Sequence, residues 1–214
     1  AKLCRERGIL LVDDEIQMGF FRTGKLWAME NIEAPADIMV YGKALTNGLN
    51  PLSGIWAREE LISPDKFGPG STHSTFSSNS LGTAVGLEVM SILEEGGYEK
   101  SVPEKGKYFL EIIRDLQKKH KEIGDTDGLG LALRMEMCEA DSYTPSRRLA
   151  DMMFQRGLEG NLSYAGKKMG LILDIGGYFK NVITLAPSLE ITNREMDMAH
   201  DLLDQLITSC KKDL

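Results

Sequence analysis

Three consecutive acidic residues, Asp13, Asp14 and Glu15, directly follow a short apolar run near the start of the sequence. The run, 9–12, is typical of a buried strand in a fold that alternates strands and helices. In an open parallel sheet, ligands bind beyond the carboxyl ends of the strands. These acids are therefore candidates for binding or catalysis. The alternative is that Asp14 only caps the turn after the strand.

The stretch 9–15 is similar to the acidic pair of response-regulator receiver domains. That fold needs a further aspartate at a strand end about forty residues later as the phosphate acceptor. The corresponding stretch, 54–60, has Arg58 where an aspartate is required. The sequence therefore argues against a receiver domain.

A second stretch, Gly19 to Lys25, has the spacing of a nucleotide phosphate loop. In such a loop a serine or threonine follows the lysine and contacts magnesium. Here Leu26 occupies that position, and no predicted strand immediately precedes the loop. The match to a phosphate loop therefore fails.

Several longer stretches, taken in order, resemble the class III aminotransferases, a family of pyridoxal-phosphate enzymes with the type I fold. The matching stretches are 14–19, 22–25, 37–38, 43–45 with Gly48, 51–53, 73–76 with Asn79 and Leu81, 128–130 with Glu136, and 185–192. They span nearly the whole chain. The resemblance implies an α/β fold: part of a large, mainly parallel-sheet domain that binds pyridoxal 5'-phosphate in residues 1–97, and a small α+β domain in residues 98–214.

The resemblance implies cofactor-binding roles for residues after the first strand. Pyridoxal phosphate accepts electrons from the substrate only while its ring nitrogen stays protonated, so a carboxylate must lie against that nitrogen. Asp14 is the candidate, because an ion pair keeps a carboxylate charged. Gln17 would hydrogen-bond the phenolic oxygen of the ring, and Ile16 would pack on one ring face.

The resemblance also implies a covalent attachment point and a phosphate contact. Lys43 follows the predicted strand 37–41 and would form the Schiff base, then move the substrate proton. Thr75 would contact the cofactor phosphate across the interface of a homodimer, since its hydroxyl is a suitable donor. His73, next to it, is interpreted as loop structure. An isolated lysine or loop threonine is more often a solvated group.

The activity implied is transfer of an amino group from an amine or amino acid to a keto acid. A racemase or decarboxylase on the same scaffold is an alternative, because fold does not fix reaction. A third possibility is an inert fragment. The chain starts without methionine, and the resemblance places an N-terminal half with a glycine-rich phosphate loop before it.

Three positions depart from the family pattern. Phe21 and Ser78 stand where glycine is common, and local packing could absorb either change. Thr184 stands where many relatives have an arginine that binds the substrate carboxylate, and a hydroxyl cannot copy a bidentate guanidinium contact. Arg134 or the preceding half could supply that contact, or the substrate could be a different kind of amine.

The elements that would position these residues follow from hydrophobic periodicity. The strand candidates of the first part, 9–12, 37–41 and 52–57, are apolar on both faces, as in a parallel sheet covered by helices. A helix is predicted over 79–95, ended by Gly96 and Gly97. Further helices are predicted at about 98–123, at 145–158 and after Thr192, a candidate N-cap with Glu195 three residues later. The remaining strands are predicted near 129–137, 171–175 and 182–185.

Composition excludes other classes of protein. The chain of 214 residues has 25 basic and 32 acidic residues, a net charge of −7, which disfavours binding to nucleic acid or anionic membranes. No apolar run approaches the roughly 20 residues that cross a bilayer. Three scattered cysteines, Cys4, Cys138 and Cys210, form no metal-binding spacing and predict reduced thiols in the cytoplasm.

Overall fold

The computed structural model describes residues 1–71 and 74–213. His73, predicted to be loop structure, lies outside the described residues. The chain divides into two compact units, Ala1–Ser101 and Val102–Leu214.

The first unit is built on a sheet of three short strands in the order β1-β2-β3. Strand β1, Val12–Asp14, pairs in parallel with β2, Ile38–Tyr41. Strand β3, Gly54–Ala57, pairs with β2 in the antiparallel direction. The sheet is therefore mixed, and the prediction of parallel pairing is wrong for the third strand.

The first predicted strand also begins later than expected. Residues 9–11 lie outside β1, and Ile9 is 54% exposed rather than buried. Val12 shares a sheet face with Ile55, and their exposed fractions are 55% and 57%. Burial of this strand was wrongly predicted, because β1 is an edge strand of the described sheet and this sheet face is open to solvent.

Helices of the first unit differ in length and in how they are capped. Helix α1 covers Lys2–Glu6 and α2 covers Glu59–Ile62, and the longer α3 covers Ser80–Glu95. The side chain of Asn79 caps α3 by accepting a hydrogen bond from the Gly82 amide at 2.6 Å. Gly97 has a φ of +65°, which ends the helical path. The predicted helix over 79–95 is thus confirmed to within one residue.

Helix α4, Tyr98–Lys119, begins in the first unit and continues into the second. The second unit contains an antiparallel four-stranded sheet in the order β4-β5-β9-β8. Its strands are β4 Ile123–Leu129, β5 Ala132–Met137, β8 Asp174–Gly176 and β9 Val182–Leu185. A separate hairpin joins β6, Leu162–Tyr164, to β7, Lys167–Met169. The strand predicted near 129–137 is β5, which begins three residues later because the chain turns at Gly130, and β4 before that turn was not predicted.

The core of the second unit lies between the buried face of this sheet and three helices. Burial alternates along β5, so Leu133, Met135 and Met137 face inward. They join fully buried side chains of α4, of α5 (Arg147–Leu158) and of α6 (Asn193–Cys210). Thr192 and Glu195 form the predicted capping box at the start of α6. These elements bury enough apolar surface to make a core of their own.

One close approach fixes α4 against the β4–β5 turn. A Cβ atom added to Gly106 would lie 2.1 Å from the carbonyl oxygen of Gly130. Only a hydrogen atom fits at this point of the helix. In the described ranges, no helix is both long and apolar enough to cross a membrane.

Candidate active site

The two residues predicted to carry the chemistry lie at the same edge of the first sheet. Asp14 is the last residue of β1 and is aligned with Val40 of β2. Lys43 follows β2 after a single intervening glycine, Gly42. Because β1 and β2 are parallel, their carboxyl ends meet at one edge. The structure therefore places Asp14 and Lys43 beyond or at the ends of neighbouring strands.

The carboxylate of Asp14 is oriented by the turn that follows β1. Its Oδ1 atom accepts a hydrogen bond from the Ile16 amide at 3.1 Å, while the Glu15 amide donates to the Val40 carbonyl at 2.9 Å. Asp14 and Gln17 are exposed, and Ile16 is half-buried. Asp14 thus does cap its turn, and this contact uses only one of its two oxygens.

The flanking acids Asp13 and Glu15 have a different environment. Glu15 is fully buried, and its Oε1 accepts a hydrogen bond from the Met29 amide at 2.9 Å. One carboxyl oxygen of each acid is buried and has no hydrogen-bond partner among the described residues. Burial, then the neighbouring Glu15 carboxyl and the charge of Asp14, raise the pKa of Asp13 to about 6.

This division among the three acids could have been read from the sequence. Side chains alternate along a strand, so Asp13 points to the opposite sheet face from Asp14. The run of three acids suggested a common role for all of them. Within the strand only Asp14 shares a face with Val12 and with Val40 of β2.

Lys43 begins a short 3-10 turn, Lys43–Thr46, and its side chain is exposed. Its φ is +39°, in the left-handed region that residues other than glycine seldom adopt. The turn is held by a hydrogen bond from the Leu45 amide to the Gly42 carbonyl at 2.9 Å, and by one from the Thr46 hydroxyl to the Asn50 carbonyl. A strained backbone held by its surroundings is common at functional positions.

The segment that carries Thr75 lies near the end of β2. Thr75 is exposed in a turn closed by a hydrogen bond from the Ser77 amide to the Ser74 carbonyl at 3.1 Å. A cavity of about 750 Å³ is lined both by this turn and by Tyr41, the last residue of β2. Thr75 itself does not line the cavity. The first unit thus brings the Thr75 turn close to the strand that precedes Lys43.

Both positions where glycine is usual in the family have a left-handed backbone. Phe21 has a φ of +64° and Ser78 a φ of +53°. The ring of Phe21 lies 6.1 Å from the ring of Tyr98, in a tilted arrangement. Packing therefore accompanies the change at Phe21, whereas Ser78 is exposed.

Thr184 and Arg134 are directly opposite each other on β9 and β5. Arg134 forms ion pairs with two carboxylates of β4. Its Nη2 atom lies 2.9 Å from Oδ2 of Asp125 and 3.6 Å from Oδ2 of Asp127. The guanidinium considered as a substitute carboxylate receptor is thus already held by two aspartates.

The chain is similar to known proteins over nearly all of its length. The sequence profile of the family described as aminotransferase class-III matches residues 1–207. An ornithine aminotransferase from Oceanobacillus iheyensis is 33% identical over 97% of the chain and 46% of its own length. An acetylornithine aminotransferase from Caldanaerobacter subterraneus is 34% identical over 98% of the chain and 48% of its own length. An alanine/serine racemase from Pyrococcus horikoshii is 29% identical over 96% of the chain and 40% of its own length.

Solved structures show the same fold. Ornithine δ-aminotransferase from Plasmodium falciparum aligns with a TM-score of 0.82 at 25% identity, over all of the chain and 50% of that protein. A transaminase from a marine Virgibacillus aligns with a TM-score of 0.87 at 24% identity, over 99% of the chain and 48% of that protein. The chain thus spans about half the length of the relatives it matches. With a family profile covering nearly all its residues and with this fold, the chain belongs to the class III aminotransferases.

Proposed function

We propose that this chain forms part of a pyridoxal-phosphate-dependent aminotransferase that moves an amino group from an amine or amino acid to a keto acid. The observation that carries the proposal is the placement of Asp14 and Lys43 at the carboxyl ends of adjacent parallel strands. Because the chain spans about half of its relatives, the activity is proposed for the protein that contains the whole family domain.

The domain assignment is part of this proposal. Residues 1–97 would be the C-terminal portion of the cofactor-binding large domain, and residues 98–214 the small α+β domain. The start of α4 at Tyr98, directly after the left-handed Gly97, supports a boundary here.

The side chains after β1 fit the pyridine ring of the cofactor. When bound, pyridoxal phosphate supplies an aldehyde and a protonated ring that accepts electrons from the substrate. Asp14, fixed through one oxygen by the Ile16 amide, would keep the ring nitrogen protonated through its other oxygen. Gln17 would donate to the phenolic oxygen, and the half-buried Ile16 would pack on the ring.

Lys43 would act first as the attachment point and then as the acid–base group. Its Nζ would bind the cofactor aldehyde covalently, and would be released when the substrate amine takes its place. The free amine would then remove a proton from the substrate carbon and return it to the cofactor carbon. The 3-10 turn would hold the backbone of Lys43 in one position, so the side chain would extend from the same point in both steps.

Thr75 would contact the cofactor phosphate from across a homodimer interface. The exposure of its turn supports this role, because a residue that serves a neighbouring subunit must be accessible on its own. We also propose a cytoplasmic location, which the three free cysteines support.

Transamination is favoured over the alternative outcomes. The family to which the chain belongs is named for this reaction, and two of the three relatives compared above are aminotransferases. Racemisation or decarboxylation on the same scaffold is therefore not favoured. An inert fragment remains a distinct outcome of the experiment that follows.

The test is to trap the cofactor by borohydride reduction and to locate it by peptide mass, alongside an assay of amino transfer to a keto acid. We expect the modification on Lys43, and a loss of at least about 100-fold in turnover in Lys43→Ala. Lys107→Ala, an exposed lysine on α4, is the matched control and should keep activity. Trapping on another lysine, or no trapping in the longer protein, would overturn the proposal.

Asp14→Asn separates binding from chemistry. The variant should still bind the cofactor, but its turnover should fall by about 10²–10³-fold because the ring nitrogen loses its charged partner. Near-normal turnover would remove Asp14 from the mechanism.

A further inference from the structure

The acids on either side of Asp14 point to the opposite face of the first sheet. Side chains alternate along an extended chain, so Asp13 and Glu15, two residues apart, share that face. Asp13 is aligned with Met39 of β2, which is buried, and Glu15 is fully buried. Burial among apolar groups makes the ionised form of a carboxyl group costly. The pair Asp13–Glu15, called the acid pair below, is therefore in an environment that disfavours two negative charges.

The two carboxyl groups of the acid pair lie within hydrogen-bonding reach of each other. Oδ2 of Asp13 and Oε2 of Glu15 are both buried, and neither has a hydrogen-bond partner among the described residues. An ionised carboxylate can only accept hydrogen bonds, so two ionised groups at this separation repel each other. A proton on one of them replaces that repulsion with a hydrogen bond between an acid and a carboxylate, which is a strong type.

Charged groups that act on Asp13 are acidic, namely Glu15 and Asp14. From β2 its aligned neighbour is the apolar Met39, and the segment after β1 presents the backbone amide of Met29 to Glu15. Within the described ranges, no lysine, arginine or histidine contributes to the charge around Asp13. In this part of the chain, a proton is thus the positive charge available to the acid pair.

Glu15 joins three segments of the first unit. Its amide donates to the Val40 carbonyl at 2.9 Å, and its carbonyl accepts from the Gly19 amide at 3.1 Å. Its Oε1 atom accepts from the Met29 amide at 2.9 Å. The turn 15–19, closed by the second of these bonds, carries the residues proposed to contact the cofactor ring. The orientation of the Glu15 side chain therefore bears directly on this turn.

We propose that Asp13 and Glu15 share one proton, and that this proton holds the turn 15–19 in place. Asp13 carries the proton and donates it to the Glu15 carboxylate, whose other oxygen stays on the Met29 amide. When the pH rises, the proton passes to solvent, two like charges face each other, and the Glu15 side chain loses its fixed orientation. The acid pair is thus a pH-sensitive restraint on the turn. Its effect on cofactor binding rests on the proposed function.

The first experiment detects the shared proton by infrared spectroscopy, without cofactor. The spectrum of Asp13→Asn is subtracted from that of the parent at each pH, so that the carboxyl groups common to both proteins cancel. We expect the difference to contain a carboxylic-acid band that disappears with a midpoint of about pH 6, the value to which the pKa of Asp13 is raised. Asp65→Asn, at an exposed aspartate, is the control, and its difference spectrum should titrate near the ordinary value of about 4. A midpoint near 4 in both would overturn the proposal.

Glu15→Gln tests the partner of the proton. The glutamine keeps an oxygen for the Met29 amide and offers an N–H group to Asp13, so Asp13 no longer needs a proton. The band should therefore be lost at about pH 5.5. A second measurement needs no variant: the amide resonances of Gly19 and Met29 in the parent should shift with the same midpoint as the band. A band that persists in Glu15→Gln, or amide resonances that do not move, would overturn the proposal.

The effect on the cofactor is tested in the protein that contains the whole family domain. Because pyridoxal phosphate itself titrates, the measured quantity is the ratio of the apparent dissociation constants of the parent and of Asp13→Asn at each pH. We expect a ratio near one at about pH 5.5 and about three- to tenfold at about pH 8, since the asparagine amide donates to Glu15 at both. A constant ratio would overturn the role of the proton in holding the turn. Failure of the parent to bind cofactor at every pH would instead overturn the proposed function.

Discussion

The two units of this chain differ in how completely they bury their apolar side chains. Among the described residues, 26 apolar side chains are buried, of which four lie in Ala1–Ser101 and 22 in Val102–Leu214. Conversely, 14 of the 20 large apolar side chains that are exposed in the same described ranges belong to the first unit. The unit that carries Asp14 and Lys43 thus has little core of its own. The site residues are ordered mainly by local turns and strand pairing.

The largest expected effect is on independent folding. Residues 98–214, prepared separately, should unfold in one cooperative transition, because their core is complete. Residues 1–97 should show no such transition, because hydrophobic burial is the main favourable term in folding. Thermal unfolding followed by circular dichroism tests both pieces. A cooperative transition in 1–97 would contradict the contrast between the units.

A matched pair of substitutions tests the same contrast in the intact chain. Ile113 is fully buried in the second unit, whereas Ile55 is 57% exposed in the first. Ile113→Ala should lower the free energy of unfolding by about 2–5 kcal/mol, through lost burial and a cavity. Ile55→Ala should cost less than about 1 kcal/mol. Denaturant unfolding measures both values, and equal costs would show that β3 is buried in solution.

A pH-dependent effect is expected from Asp13. Its pKa is raised from 3.8 to about 6, so the native state binds this proton more tightly than the unfolded state. The resulting stabilisation is complete below about pH 4 and is lost as the pH rises through about 6. Asp13→Asn should therefore raise the melting temperature by about 2–4 °C at pH 8 and by nothing at pH 4. Asp65→Asn, at an exposed aspartate of the same unit, is the control. An equal gain in melting temperature at both pH values would exclude the titration of Asp13 as the cause.

The smallest expected effect concerns the backbone near Thr75. Ser78 has a left-handed φ of +53°, which glycine adopts without steric cost. Ser78→Gly should stabilise the protein by about 0.5–1 kcal/mol. Ser77→Gly, at a neighbour without a positive φ, should not stabilise. If both variants lose stability, the left-handed conformation at position 78 is not strained.

Local signals in the sequence predicted the elements that depend on local contacts. The cap of α3 at Asn79 and the box of Thr192 and Glu195 at α6 each form within three residues, so the sequence alone specifies them. Strand β9 was also predicted with its observed bounds. Strand β4 was missed, because its polar sequence acquires strand structure only by pairing with β5. The short β6–β7 hairpin was missed for the same reason.

The candidate site was predictable only in part. The placement of Asp14 and Lys43 at strand ends followed from the apolar runs before them. The burial of Asp13 and Glu15 depends on segments distant in sequence, such as the amide of Met29 that Glu15 binds. The left-handed conformation of Lys43 likewise arises from the turn around it and from no signal of the lysine itself. The antiparallel direction of β3 depends on pairing that periodicity does not reveal.

Gly106 lies against Gly130 with room for no more than a hydrogen atom. Even alanine, the residue that most favours a helix, is therefore forbidden at this point of α4, although it would lower the intrinsic cost of the helix by about 1 kcal/mol. Replacing helical glycines with alanine is a common way to raise thermal stability. In this chain, Gly106 must be kept as glycine. In a random library, we expect folded variants substituted at Gly106 only where further changes alter the shape of the β4–β5 turn.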